Sequence, residues 1–449
     1  FMGGLRRDLC RGGQTTRTTA ASECLIVSER GVQTESPSDG KMAHSQLHEC
    51  DATERTDKVW FVSAEIYRQT GYRGNHPLAI PRIGTVLTLC EQLGWLAPQG
   101  PRAYIASPQA TEAQLRQFHD EAYIHAVMQA DAGLAATPAW RAQFGLGGME
   151  NPLFEGMYQR ASTAVGGSIL AGQLAARGGV AYHPSGGTHH AMPDHASGFC
   201  YFNDPVFAIL SLLQQGVSRV AYIDLDAHHG DGVEAAFVDD PRVLTFSVHE
   251  QDRWPGTGRL QDRGRGNTFN LPVPPRLNDS EFDVLLQHAL LPVTRAFAPD
   301  AVVVTCGADA LAGDPLSSMA LSNRCLIDAV MALIKAVPSA VVLGGGGYNP
   351  WTLARYWTAL WGRIAGHAIP TDLPADCVDT LTELSCDLID ADEVRPDWLH
   401  TLLDARREGS IRDCVPEGVA TLMASTDMAW PLRAAIQTTD SLSRNALYV

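Results

Sequence analysis

The chain has 449 residues, 45% of them hydrophobic, and a formal net charge of −16. That is enough length and apolar content to bury a large core, which excludes a disordered or disulfide-stapled mini-protein. The acidic balance excludes a nucleic-acid surface and favours encounter with cationic partners. The ten cysteines include no C-x-x-C pair, no early stretch has the apolar centre of a secretory signal, and no segment is apolar for long enough to span a membrane. The sequence therefore reads as that of a soluble protein of a reducing, cytoplasmic compartment.

Residues 1–58 are rich in Ser, Thr, Gly, Glu and Arg without periodicity and cannot bury enough apolar surface to order themselves, so a disordered leader is expected. Phe1 is not an initiator, which makes Met42 the candidate natural start. Short β-branched runs then recur at 59–64, 103–106, 178–183, 219–226, 242–248, 268–273, 301–307 and 340–347. Helical patterns fall between or after them at 81–94, 155–176, 204–215, 281–297, 322–336 and 350–365, with Pro81 suited to a first helical turn. Continuous apolar strands alternating with helices imply an α/β fold whose parallel sheet is covered on both faces. Ligand sites are then expected just beyond strand C-termini. From about His367 the pattern turns helical and acidic, and Pro370 and Pro374 mark a linker. The expected organisation is a leader over 1–58, a catalytic domain over 59–366 and a helical C-terminal extension over 367–449, packed on the core.

The strongest chemical signal is RVAYIDLDAHHGDG at 219–232. A buried strand should not carry Asp224 and Asp226 without compensation, because an isolated buried carboxylate is very costly. In an extended segment Asp224, Asp226 and His228 share one face by the two-residue period, so carboxylate and imidazole can converge on one cation. Oxygen and nitrogen donors without thiolate suit Zn²⁺, Fe²⁺, Co²⁺ or Mn²⁺ in a site left open for water. An isolated Asp-x-His is more often a helix cap and an exposed turn, but here Asp224, His229 and Asp231 stand beside it.

A second cluster, HPSGGTHH at 183–190, also follows a strand. The adjacent imidazoles of His189 and His190 suit proton transfer near neutral pH, with Asp224 and Asp231 as natural orienting partners. A third strand, AVVVTCG, leads into Asp309, which offers a third ligand. A fourth ends in GGGG and then Tyr348, whose phenol can donate to a developing oxyanion. The glycines are not a phosphate cradle, because neither Gly-Lys-Ser nor G-x-G-x-x-G is present there.

With these elements in this order the sequence closely resembles the histone deacetylase superfamily, which includes bacterial acetoin-utilisation deacetylases and acetylpolyamine amidohydrolases. The resemblance runs from about Val59 to Gly366 and rests on GYRGNHPLAIPR, GLGGMENP, GGTHHAMPDHASGFCYFND, YIDLDAHHGDGVEAAF, GADALAGDP and LGGGGYN. It implies an arginase/deacetylase-like three-layer fold with an eight-stranded parallel sheet. By the same resemblance Asp226, His228 and Asp309 bind one divalent ion, zinc first and iron(II) second. His190 is the general base and later the acid, His189 its electrostatic neighbour, and Asp224 and Asp231 their respective partners. Tyr348 polarises the acyl carbonyl, and Gly198, Phe199, Trp254, Leu316, Glu150 and Gly346 line an acyl-lysine tunnel. Structural potassium is implied at Asp224, Asp226, His228, Ser247 and Val248, and at part of a second set, Phe237, Asp240 and Val243.

Two departures stand out. Glu150 replaces the Asp common in the rim loop, and the loop HEQDRWPGTG at 249–258 is short and carries Trp254 where Phe is common. The expected activity is hydrolysis of the acetyl amide of acetyl-lysine in proteins. The alternatives are an acetylpolyamine or other small acylated amine as substrate, and a non-catalytic metal-binding interaction protein. No nucleic-acid or membrane partner is expected, and the imidazole pair implies a bell-shaped pH–rate profile around neutrality.

Overall fold

The structure, a computed structural model, describes residues 58–134 and 137–424. The expected leader, apart from Lys58, and the end of the C-terminal extension lie outside the described residues. Eight strands form, in chain order β1 (Val59–Ser63), β2 (Ile105–Ala106), β3 (Gly179–His183), β4 (Val220–Asp224), β5 (Val243–Glu250), β6 (Thr268–Val273), β7 (Ala301–Thr305) and β8 (Ser339–Leu343). They make one sheet in the order β2-β1-β3-β8-β7-β4-β5-β6, parallel throughout. Every residue of β3, β4, β5, β7 and β8 is buried, which accounts for their unbroken apolar runs: helices cover both faces. The fold is α/β with one covered parallel sheet, as the strand pattern implied, and it is the arginase/deacetylase-like arrangement that the resemblance implied.

The helices are α1 (Ile83–Gln92), α2 (Glu112–Leu115), α3 (Glu121–Asp131), α4 (Pro138–Phe144), α5 (Met157–Ala175), α6 (Asp204–Gln214), α7 (Asp231–Phe237), α8 (Asp279–Leu285), α9 (Leu291–Phe297), α10 (Asn323–Lys335), α11 (Pro350–Ile364), α12 (Ala375–Thr382), α13 (Pro396–His400) and α14 (Cys414–Ala424). A π turn, Leu286–Leu290, joins α8 to α9. Beyond Gly366 the three short helices are separated by irregular segments that pack on the main body. Leu381, Trp398, Leu402 and Leu422 belong to its core, and buried Arg355 on α11 pairs with Asp404 at 2.8 Å. No helix among the described residues is long and apolar enough to cross a membrane.

Several strands stop earlier than their apolar runs suggest. β4 ends at Asp224, β7 at Thr305 and β8 at Leu343, so Asp226 and the glycine run lie in loops, and Asp309 in a short 3-10 turn (Ala308–Ala310), at the C-terminal edge of the sheet. The central strands β3, β8, β7 and β4 are neighbours, and the loops that follow them meet over the middle of that edge.

Candidate active site

Strand alternation does not bring Asp224, Asp226 and His228 together, contrary to the expectation, because only Asp224 is in the strand. The loop is shaped by side chains instead. Asp226 N–H donates to Asp224 Oδ1 at 3.1 Å and His228 N–H donates to Asp226 Oδ1 at 3.0 Å, two successive Asx-type turns. Ala227 N–H donates to Asp309 Oδ1 at 3.0 Å, which ties this loop to the one after β7. The outcome is convergence: His228 Nδ1 lies 2.9 Å from Asp309 Oδ2 and 3.2 Å from Asp226 Oδ1.

Two fully buried carboxylates this close are unfavourable unless a cation joins them. Burial and the charge of Asp226 push the Asp309 carboxyl up, while against burial the two carboxylates raise His228 to about 10. Electrostatically the cluster calls for positive charge at the point its donors share. Two carboxylates and one imidazole, with donor atoms all within 4.8 Å of one another, fit a divalent metal with a coordination position left for water. Gly346 permits this closeness: its N–H donates to Asp226 Oδ2 at 2.6 Å, and a Cβ there would overlap Asp309 Oδ2. Glu112, Glu121 and His125 form another acidic group, but it is solvent-facing and shares Arg116, so it is an ordinary surface ion-pair cluster.

The imidazole pair sits beside the three ligands. His189 Nδ1 is 2.7 Å from Asp224 Oδ2, and His190 Nδ1 is 2.7 Å from Asp231 Oδ1, the first residue of α7. Each Nδ1 therefore carries its hydrogen toward a carboxylate, leaving Nε2 of His190 as an acceptor. Burial would lower His189, but the charges of Asp224 and Asp226 raise it to about 9. Burial and the neighbouring His189 hold His190 down at about 4, against the pull of Asp231. One ring is thus driven to be charged and the other neutral.

Several positioning residues were not singled out in the sequence. Asn203, the N-cap of α6, donates from Nδ2 to His189 O at 3.1 Å and Ala191 O at 2.9 Å. Asp204 accepts from Gly187 N–H and Thr188 N–H and from Ser168 Oγ, which pins the glycine turn in front of the pair. Asp314 accepts from Tyr348 N–H at 2.7 Å and Leu316 N–H at 2.9 Å. Half-buried Arg82 donates to Gly345 O and stacks over Trp357 at 5.0 Å. All four lie inside the quoted motifs, Arg82 at the end of GYRGNHPLAIPR, Asn203 and Asp204 at the end of GGTHHAMPDHASGFCYFND and Asp314 in GADALAGDP. The sequence signal was their placement beside Gly187 and Tyr348, which becomes legible only once the loops meet.

Tyr348 stands just before Asn349, whose side chain caps α11 by accepting from Trp351 N–H and Thr352 N–H. Burial and Asp309 push its phenol well above its ordinary value, so it remains a hydrogen-bond donor. A cavity of about 650 Å³ opens to solvent and is lined by Glu150, Gly198, Phe199, Trp254, Leu316 and Tyr348, together with His190 and His228. A smaller inner space lined by His189, Asp226 and Gly346 shares His190, Gly198, Phe199, His228 and Tyr348 with it, so the mouth is continuous with the ligand cluster. Trp254 is 44% exposed and packs edge-on against His190, with ring centroids 4.6 Å apart. The longer Glu150 reaches Gly198 N–H across the mouth.

The two potassium sets fare differently. Asp224 and Ser247 are register partners on β4 and β5, with Val248 following, so the first set is contiguous. The carbonyls of Phe237, Asp240 and Val243 also converge, but on the side-chain nitrogen of Asn267, so the second set does not fit an ion.

Fold and site together define a hydrolase with the α/β, arginase/deacetylase-like architecture. The histone deacetylase domain matches residues 76–364, and the chain belongs to the histone deacetylase family. It is 36% identical to the acetoin utilization protein AcuC of Bacillus subtilis over 284 residues, which cover 59% of this chain and 72% of that protein. It is 35% identical to histone deacetylase 8 of Xenopus laevis over 274 residues, which cover 59% and 83% respectively. The crystal structure of an HDAC homolog from Aquifex aeolicus superposes with a TM-score of 0.76 at 34% identity, covering 81% of this chain and 99% of that one. An HDAC homolog complexed with SAHA gives the same figures.

Proposed function

We propose that this chain removes acetyl groups from acetyl-lysine side chains of proteins, with one divalent ion, zinc or iron(II), held by Asp226, His228 and Asp309. The observation that carries the reading is the orientation of His190: Asp231 fixes its Nδ1–H, so Nε2 is free to accept a proton within the space lined by Asp226 and His228. When bound, the ion supplies Lewis acidity for the acyl carbonyl and acidity for a water. His190 takes the proton of that water at Nε2 and returns it to the departing amine nitrogen. His189, held charged by Asp224, keeps its neighbour in the neutral, proton-accepting form until that transfer. Tyr348 donates its phenol hydrogen to the oxygen that gains negative charge, and Arg82 holds the Gly345 carbonyl beside it in place. Phe199 and Trp254 exclude water from the acyl chain, and Leu316 and Glu150 contact the substrate at the rim.

The same reading assigns catalysis to 59–366, makes 367–449 a C-terminal extension, places a structural potassium at Asp224, Asp226, His228, Ser247 and Val248, and puts the protein in the cytoplasm. It also expects SAHA, present in the second solved homolog, to occupy the mouth cavity and inhibit. A small acetylated polyamine is the second reading, favoured by the negative charge that Glu150 and Asp252 bring to the mouth. Acetate release measured side by side on an acetyl-lysine peptide and an acetylpolyamine decides between them. A higher kcat/KM on the peptide supports the first reading, and turnover of the polyamine alone overturns it.

A further inference from the structure

Helix α7 carries Asp231, the partner of His190, at its first turn, and how its other end is held decides how firmly that carboxylate is placed. A helix C-terminus leaves carbonyls without intrahelical donors and carries the negative end of the helix dipole, so it attracts cations or N–H groups. Here Asn267 Nδ2 lies 2.9 Å from Phe237 O, 3.1 Å from Asp240 O and 2.9 Å from Val243 O. The direction of the amide is set by its other atom, because Asn267 Oδ1 accepts from Arg265 N–H at 3.1 Å. The residue itself is anchored in the sheet, where its carbonyl accepts from Thr245 N–H at 2.9 Å, and it is only 6% exposed.

The nitrogen therefore stands at the common centre of three carbonyl oxygens, the place a monovalent cation would need. Two of those oxygens are already saturated. Phe237 O also accepts from Asp240 N–H at 3.0 Å and Asp240 O from Val243 N–H at 3.1 Å, which with Asn267 uses both lone pairs of each. The Asp240 carboxylate is turned to Arg242, 2.6 Å away, and so offers the centre no charge.

We propose that the Asn267 amide is a built-in substitute for the second potassium ion. The carbonyl cluster beneath α7 is closed by a side chain and takes up no monovalent cation, and the helix that bears Asp231 is held independently of the potassium concentration at this point.

Crystals of the unaltered chain grown in rubidium chloride test this directly through anomalous scattering. No rubidium peak is expected among the carbonyls of Phe237, Asp240 and Val243, and a peak there overturns the proposal. Thermal unfolding gives an independent reading. Asn267→Gly vacates the centre, so its Tm should fall by several degrees in choline chloride and recover as potassium chloride replaces choline at constant ionic strength. Any potassium response elsewhere is common to both chains and cancels in the difference. A gap between wild type and variant that narrows with potassium supports the substitution, and parallel curves contradict it. Should Asn267→Gly not fold, the rubidium experiment on the unaltered chain stands alone.

Discussion

His189 and His190 are neighbours in the chain with ring centroids 3.9 Å apart, yet their surroundings drive their protonation in opposite directions. Against the effect of burial, the charges of Asp224 and Asp226 raise His189 to about 9, while burial and that adjacent positive ring bring His190 to about 4. This division turns two identical side chains into a fixed charge and a free base.

The acid limb of the rate profile follows from it. Catalysis needs neutral His190, so activity rises as pH climbs through its pKa, which lies below the ordinary 6.5. The profile should hold well into mildly acidic pH. Asp231→Asn removes a charge that favours the protonated ring, so the limb should move to lower pH, and kcat should fall about 10- to 100-fold through looser orientation of the imidazole. A kcat–pH series on the two proteins checks both, and a limb that moves upward contradicts the assignment.

His190→Ala should cost about 10²- to 10⁴-fold in kcat. The ring is not among the three converging ligands, so metal content measured after gel filtration should match the wild type. Loss of metal together with activity would make His190 a ligand rather than a base.

Gly346→Ala places a methyl group against Asp309 Oδ2 and should displace that ligand. Metal affinity is expected to fall about 10-fold or more, read by competition with a chromophoric chelator, with the fold retained by circular dichroism.

Acid should destabilise the fold through buried neutral histidines outside the site. Burial lowers His119 to about 3; its Nδ1 faces Met192 O and its Nε2 accepts from Asn203 N–H, so a second proton would break a hydrogen bond. The folded pKa is depressed, so the stabilisation is complete above the unfolded value of 6.5 and is lost as pH falls from there toward about 3. Each such site contributes about 1.4 kcal/mol per pH unit in that window. His119→Gln should be less stable at neutral pH yet show a shallower decline on acidification, followed by urea unfolding from pH 7 to 4.

The strands were legible because a sheet buried on both faces needs unbroken β-branched runs, and all eight runs became strands of one parallel sheet. The principal helices were legible from their helical periodicity and end signals. The short α2, α4 and α7 were not, since stretches of four to seven residues hold too few turns to show a period, and their limits depend on caps such as Thr111 and Thr137; α3 was missed as well, although it is as long as α6. Within the site, Asp226, His228, Asp309 and Tyr348 were visible as polar residues just past apolar strands. The means of their convergence was not, because Asx turns and the bond from Ala227 to Asp309 belong to loops that meet only in three dimensions. Asn267 was invisible for a related reason: a lone Asn before a strand shows nothing of the three carbonyls it serves.

The central claim is that one divalent ion, shared by Asp226, His228 and Asp309, makes this chain a deacetylase. Titrating Zn²⁺ or Fe²⁺ into metal-free protein while following acetate release from an acetyl-lysine peptide tests it most directly. Activity should climb linearly and break at one ion per chain. Full turnover without added metal in the presence of a strong chelator, or a break at two ions, would contradict it.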